Sequence, residues 1–322
     1  MGRLNKRALL VHLRRMGTAS RADLAKSLGL SQPTAGKIVD ELLEMGVFEE
    51  VATDPDSKGT ATRSAGRPAR MLRLSRSKAH FLAIQLGIQK TDFALPSIGV
   101  TGEDAWVAHI TTPESANDWQ RQLRKIAGQI AEKAFWGVLV SVPGVLDERT
   151  SKVIYSPNLH WTEKADLRSQ IRSIWKAPVL LVQEEHALAL GQQAADAEGE
   201  DFLLADFGDG VGGAVVIAGK IHTHPLPVSG ELGHTPVAGN DRRCGCGATG
   251  CLETLSSTRG LLQSYAAANP KAARSWQALA ASVAAGGVEL WLASTLDATA
   301  GVIAGALNVL GVRRVVITGT IN

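Results

Sequence analysis

Along residues 5–16, NKRALLVHLRRM, apolar side chains fall at Leu9, Leu10, Leu13 and Met16, the spacing of one helical face. Thr18-Ala-Ser20 leads into RADLAKSL, where Ser20 is placed to cap a second helix and Leu24, Ala25 and Leu28 form its inner side. Gly29-Leu30 makes a tight turn. Ser31 then caps a third helix, QPTAGKIVDELLEMG, with Pro33 in its first turn and Ile38, Leu42, Leu43 and Met45 turned inward. Val47–Val51 and Met71–Leu74 read as two strands joined by a long loop rich in Gly, Ser, Thr and Arg. Two short helices, a glycine turn and a helix opening on small polar residues predict a helix-turn-helix, and the strand pair adds a wing.

From residue 80 the rhythm alternates between strands and helices. Ala83–Gly87 and Phe93–Leu95 read as strands, followed by a helix near 115–133 and a strand over 135–142 that ends in Pro143-Gly144. Val179–Val182, Phe202–Phe207 and Gly213–Ile221 are further strands, and 185–197 and 288–310 are helices. The expectation is an all-α, winged-helix head over residues 1–78 on a mixed α/β body over 79–322, the body in two lobes of about 79–200 and 201–322.

Charge divides along the same boundary. Residues 1–80 carry 15 Lys and Arg against 8 Asp and Glu, whereas the remainder carries 19 against 23. A basic head on a mildly acidic body suits a head that meets a polyanion. Ser31, Gln32, Thr34 and Lys37, at the start of the third helix, are short or polar enough to reach base edges and phosphates. Arg63, Arg67 and Arg70 belong to the wing, where Gly66-Arg-Pro68 suits a minor groove or a phosphate backbone. The same three helices also serve as a protein-interaction module, the reading against which the loop arginines weigh. Hydrophobic content of 45% and charged content of 20% are ordinary for a soluble globular chain. The basic start, MGRLNKRALLVHLRR, lacks the apolar core and cleavage site of a secretory signal, and no apolar run is expected to span a bilayer. A cytoplasmic protein with no membrane partner is the expectation.

All three cysteines fall within eight residues, Cys244-Gly-Cys246-Gly-Ala-Thr-Gly-Cys251, and His234 lies ten positions upstream. Three thiolates and one imidazole complete a tetrahedral structural Zn2+ site. A disulfide fits less well, because one cysteine is left over and closure across a single glycine is strained.

Gly230-Glu-Leu-Gly-His234, followed by Cys244-x-Cys246-x4-Cys251-Leu-Glu253, resembles the signature of the ROK family of sugar kinases and sugar-responsive repressors. Val142-Pro-Gly144, Ser156-Pro-Asn-Leu159 and Phe207-Gly-Asp-Gly-Val-Gly-Gly213 stand in the family's order, and Gly66-Arg-Pro68 resembles the wing of its repressor branch. The resemblance spans residues 1–322 and implies an actin-like, two-lobed ATPase fold with a sugar cleft between the lobes. Carried over by position, His234, Cys244, Cys246 and Cys251 match the zinc ligands. Glu231, Glu253, His234 and, less securely aligned, Asn158 match groups that face sugar hydroxyls. Carboxylates suit that task because each accepts hydrogen bonds from adjacent hydroxyls.

The phosphate-handling parts depart from the family's kinases. An Asp-x-Gly-Gly-Thr pattern is replaced by Gln85-Leu-Gly87-Ile88-Gln89, and a threonine of the second phosphate loop by Asp209. The Asn-Asp that carries the catalytic base is replaced within Val182-Gln-Glu-Glu-His186, with either Glu184 or Glu185 at the aspartate's place. The loop ahead of Glu231, His224-Pro-Leu-Pro-Val-Ser229, lacks the family's glycines, and the chain stops at Asn322, where relatives run on, so a shortened body is expected. These features imply a DNA-binding regulator, a repressor acting as a homodimer or higher homo-oligomer, that senses a sugar or sugar derivative, holds Zn2+, and needs no ATP. The alternative is a sugar kinase acting on a hexose or N-acetylhexosamine with an appended DNA-binding head. A third reading is a ligand-independent DNA-binding or scaffold protein.

Overall fold

In a computed structural model, residues 2–51, 70–76, 80–99, 105–131, 134–147, 149–196, 199–223 and 230–319 are described. The head opens with α1 (Gly2–Met16), β1 (Thr18–Ser20), α2 (Arg21–Ser27) and α3 (Gln32–Glu44), and closes with β2 (Phe48–Val51) and β3 (Met71–Leu74). Ser20 caps α2 in a reciprocal box: its hydroxyl accepts from the Asp23 amide and the Asp23 carboxylate accepts from the Ser20 amide. Ser31 caps α3 by accepting from the Thr34 amide. Leu9, Leu13, Leu24, Ile38, Val39, Leu42, Phe48 and Leu72 form one core beneath the three helices. β3 lies between β1 and β2, so the wing is a three-stranded sheet rather than the two-stranded one expected. Met16 and Met45 differ from expectation as well, standing about half exposed at the ends of their helices.

The first lobe is a five-stranded sheet with order β10-β7-β4-β5-β6. Its strands are β4 (Phe81–Leu86), β5 (Lys90–Ala94), β6 (Trp106–Thr111), β7 (Gly137–Val142) and β10 (Val179–Gln183). β4, β7 and β10 run parallel, and α4 (Ala116–Gln129) and α5 (Leu167–Trp175) seal one face through Trp119, Leu123 and Ile171. A hairpin of β8 (Val145–Asp147) and β9 (Lys152–Tyr155) projects after β7. The second lobe is a four-stranded sheet, β13-β12-β11-β14, made of β11 (Phe202–Phe207), β12 (Val211–Ile217), β13 (Lys220–Ile221) and β14 (Arg314–Gly319). The single strand expected over 213–221 is thus two, because Ala218 and Gly219 take positive φ and turn the chain.

α6 (Glu184–Ala195) falls within the range expected for the first lobe, yet it packs on the second sheet, with Ala189 against Phe202, Leu204 and Ala214. Between β13 and β14 come α7 (Glu253–Ser256), α8 (Thr258–Ala268), α9 (Trp276–Gly286) and α10 (Leu290–Leu310). α10 corrects one expectation: its 21 residues are long and apolar enough to cross a membrane by length and composition. Within this fold its Ala298, Val302 and Ile303 instead cover Phe207, Val211 and Leu252 of the second lobe.

Among the contacts that tie the head to the body, two involve side chains far apart in the sequence. His80, buried in the first lobe, donates through Nε2 to the Gly46 carbonyl at 2.9 Å and accepts from the Ile98 amide at 3.4 Å, its ring tilted against that of Trp136 with centroids 4.2 Å apart. Arg14 of α1 donates to the Ala194 carbonyl in the last turn of α6 at 2.8 Å.

Candidate functional site

The parallel strands β4, β7 and β10 all end at one edge of the first lobe. There they meet the glycine turn between β11 and β12 and the segment Gly230–His234 of the second lobe, enclosing a cavity of about 400 Å3. Ligands of open α/β sheets bind at such carboxyl ends, and this volume lies within the common range for small-molecule clefts. Asn158, Glu231, His234 and Glu253 all line it, as do both candidates for the base position, Glu184 and Glu185.

The two glutamates are consecutive in the first turn of α6 and diverge from it. Glu184 accepts from the Gln85 amide group at 3.1 Å and faces Asp206 and Asp209, whereas Glu185 faces Glu231. Burial raises Glu184 above the usual carboxylate range, and the two aspartates add to the rise. Burial pushes Glu185 up to about 7, helped by Glu184 and Glu231. Its Oε2 is buried without a hydrogen-bond partner among the described residues, and its Oε1 lies 2.3 Å from where a Cβ on Gly212 would stand. Glycine at position 212 is what leaves room for this carboxylate. Burial also raises Asp206, opposed by a 2.6 Å hydrogen bond from the Thr318 hydroxyl.

The cysteine cluster forms one side of the same cleft. The donor atoms of His234, Cys244, Cys246 and Cys251 lie within 4.8 Å of one another. Cys246 and Cys251 sulfurs are 3.7 Å apart, and Cys244 Sγ is 3.6 Å from His234 Nδ1. A tetrahedron with Zn–S near 2.3 Å spaces sulfurs by about 3.8 Å, so the cluster has the dimensions to hold a metal ion such as zinc. Burial pushes the Cys244 thiol up to about 12 and raises Cys251, so thiolates at this place require the charge of a cation. With Nδ1 toward the sulfurs, His234 Nε2 faces Glu231 Oε2 at 3.4 Å, an arrangement that orients both rings and carboxylates at metal sites. Glu253 is buried, accepts from the Val211 amide at 3.2 Å and lies 3.7 Å from Cys244 Sγ.

On the head, Ser31, Gln32, Thr34 and Lys37 stand exposed along the first turns of α3. Arg70 is exposed and pairs with Glu50. Arg63 and Arg67, like His224–Ser229 and the end at Asn322, lie outside the described residues. Asp206, His80 and Arg14 were not singled out from sequence, and Ser156 only as part of the Ser156-Pro-Asn-Leu159 motif. Asp206 alone had a visible signal, a carboxylate set in the otherwise apolar strand FLLADF.

A winged-helix head on a two-lobed α/β body, with a cysteine–histidine frame beside the interlobe cleft, defines a class of sugar-kinase-like proteins that bear a helix-turn-helix. The chain belongs to the ROK family, which residues 81–322 match, and residues 3–49 match winged helix-turn-helix DNA-binding domains. The xylose repressor of Caldicellulosiruptor bescii is 27% identical over 259 residues, covering 76% of this chain and 61% of that protein. That of Bacillus subtilis is 25% identical over 269 residues, covering 81% and 68%. The chain therefore spans about two thirds or less of the length of these relatives. Among solved structures, a ROK family transcriptional regulator described as a homolog of the E. coli MLC protein shares the fold over 97% of this chain and 83% of its own, at 22% identity and a TM-score of 0.70. A ROK family glucokinase from Streptomyces griseus, in complex with glucose and AMPPNP, shares the body alone, over 75% of this chain and 83% of its own, at 20% identity and a TM-score of 0.61.

Proposed function

We propose that this chain is a DNA-binding transcriptional repressor whose body senses a sugar or sugar derivative in the interlobe cleft. The observation that carries the reading is the joining, in one chain, of an exposed helix-turn-helix helix to a cleft lined by Glu231, His234, Glu253 and Asn158. In this reading Ser31, Gln32, Thr34 and Lys37 meet base edges and phosphates, with Arg63, Arg67 and Arg70 on the wing side. The relatives named as repressors support the same conclusion. A DNA-binding regulator works in the cytoplasm. A two-fold homodimer places two heads on paired half-sites.

Zn2+ in the cysteine cluster holds His234 and, through it, Glu231. The cleft binds ligand without phosphorylating it. Gln85 stands where the kinases carry an aspartate, Ile88 fills a glycine's place, and Glu184, Asp206 and Asp209 set negative charge where a triphosphate would lie. Glu184 and Glu185 therefore serve as wall rather than base. His80 fixes the head to the first lobe while Arg14 holds it to a helix packed on the second. Movement of one lobe against the other then shifts the head's balance between DNA-competent and DNA-incompetent states.

Selection of binding sites from random DNA, with and without sugars, tests this. The expected result is one enriched two-fold symmetric motif, affinity that falls steeply with salt, and a sugar that changes recovery. No enrichment, or a flat salt response, would refute the DNA-binding reading.

A further inference from the structure

The wall of the cleft carries more acid than hydroxyl recognition needs. Six carboxylates line it, Glu184, Glu185, Asp206, Asp209, Glu231 and Glu253, and among the described residues no lysine or arginine does. Glu231 and Glu253 have partners on the metal side, His234 and the Val211 amide. The other four cluster at the opposite end, around the first turn of α6 and the start of the glycine turn. They are only partly satisfied there: Gln85 donates to Glu184, Thr318 to Asp206 and the Gln183 side chain to Glu185, while Glu185 Oε2 is buried with no partner among the described residues. Ser156 adds a second observation of the same kind. It is 1% exposed, lines this cavity, and its Oγ has no partner either.

Building on the sugar-sensing reading, we propose that the effector is a polyhydroxylated amine, a basic amino sugar whose ammonium sits among Glu184, Glu185 and Asp209. A primary ammonium brings three donors and one positive charge, which suits a cavity whose wall holds a partnerless carboxylate oxygen and a partnerless hydroxyl. Its ring hydroxyls then meet Glu231, His234 and Glu253. A neutral sugar leaves the carboxylates at the α6 end uncompensated in a partly desolvated pocket. A sugar phosphate adds like charge, which is repelled even at the dielectric of water.

Calorimetric titration of the full metal-loaded chain at neutral pH tests the assignment. The probes are glucosamine and 6-amino-6-deoxyglucose, their N-acetyl counterparts, glucose, xylose, glucose 6-phosphate and ethanolamine. A free-amine sugar is expected to bind at least tenfold more tightly than its N-acetylated counterpart and than any neutral sugar. Asp209→Asn, an exposed position whose change spares the core, is expected to narrow that preference severalfold. Neutral or acetylated sugars binding as tightly as free amines would overturn the amine assignment and leave sugar sensing standing. Ethanolamine binding as tightly as the amino sugars would overturn it as well, since hydroxyl recognition would then contribute nothing. Absence of binding by every sugar would overturn both.

Discussion

Replacing Glu185 with glutamine removes one ionisable group from the cleft wall while keeping its shape. Glu185 is pushed from 4.5 up to about 7, first by burial and then by Glu184 and Glu231. A carboxyl raised on folding binds its proton more tightly in the native state than in the unfolded one. Below about pH 4.5 both states are protonated and the group costs nothing. As pH rises toward 7 the unfolded state ionises first, so stability falls, and above 7 the full cost remains. At about 1.4 kcal/mol per pKa unit, that cost is on the order of 3 kcal/mol near pH 8. Glu185→Gln is therefore expected to stabilise the ligand-free protein by about 3 kcal/mol near pH 8 and by less than about 1 kcal/mol near pH 5. In thermal unfolding the gain near pH 8 corresponds to about 6–12 °C, at ~2–4 °C per kcal/mol for a domain of this size. Denaturation of both proteins at the two pH values measures it. An equal gain at both, or a loss near pH 8, would refute the reasoning, because burial would then not be what holds the proton on Glu185.

Chelating the metal, or substituting Cys246→Ser, is expected to loosen residues 234–253 and to weaken sugar binding at least tenfold, read by hydrogen exchange and calorimetry. Sugar affinity unchanged in metal-free protein would break the link between cluster and cleft. Gly233→Ala is expected to cost more than about 2 kcal/mol in denaturant unfolding, because its Cβ would meet the Val211 carbonyl oxygen at 2.2 Å. Stability within error of the parent would mean that the turn adapts. Arg14→Ala is expected to leave ligand affinity intact and to shrink the effect of ligand on DNA affinity, measured by operator binding with and without sugar. An undiminished ligand effect would show that the head is coupled through another contact.

Local signals in the sequence carried far, and their reach had a physical limit. Ser20 and Ser31 were readable as caps because capping needs only a hydroxyl and the next turn of backbone. The cysteine cluster was readable because all of its ligands lie within eighteen residues, 234–251. β1 escaped because three residues, TAS, carry no periodicity, and only pairing with the distant β3 makes them a strand. α10 was read correctly as a helix, yet its apolar length was underestimated because one charge, Asp297, interrupts it. The cleft wall was legible only in part. Glu184 and Glu185 stood out through their place in a motif, but which of them faces Glu231 depends on where the first turn of α6 begins. His80 and Arg14 act through partners 18 and 180 residues away, and no window along the chain holds both ends of such a contact.

The charge of the cleft makes two functional questions into one. Phosphoryl transfer requires a place where a triphosphate is neutralised, whereas Glu184, Asp206 and Asp209 set three carboxylates on the wall of this cleft, at its α6 end. Each close carboxylate–phosphate pair costs about 1 kcal/mol at the dielectric of water and more where solvent is excluded. The same three groups, with Glu185, lower the free energy of any ligand that brings a positive charge to that end. On the proposed reading, binding without phosphorylation and selection of a cationic effector are two consequences of one electrostatic change. Neutralising that end should move both together: a double variant, Glu184→Gln with Asp209→Asn, is expected to lose its preference for amines and to gain measurable affinity for a nucleotide, read by titration with a non-hydrolysable ATP analogue. If amine preference falls while nucleotide affinity stays nil, repulsion is not what excludes the triphosphate, and Gln85 and Ile88 alone account for the loss.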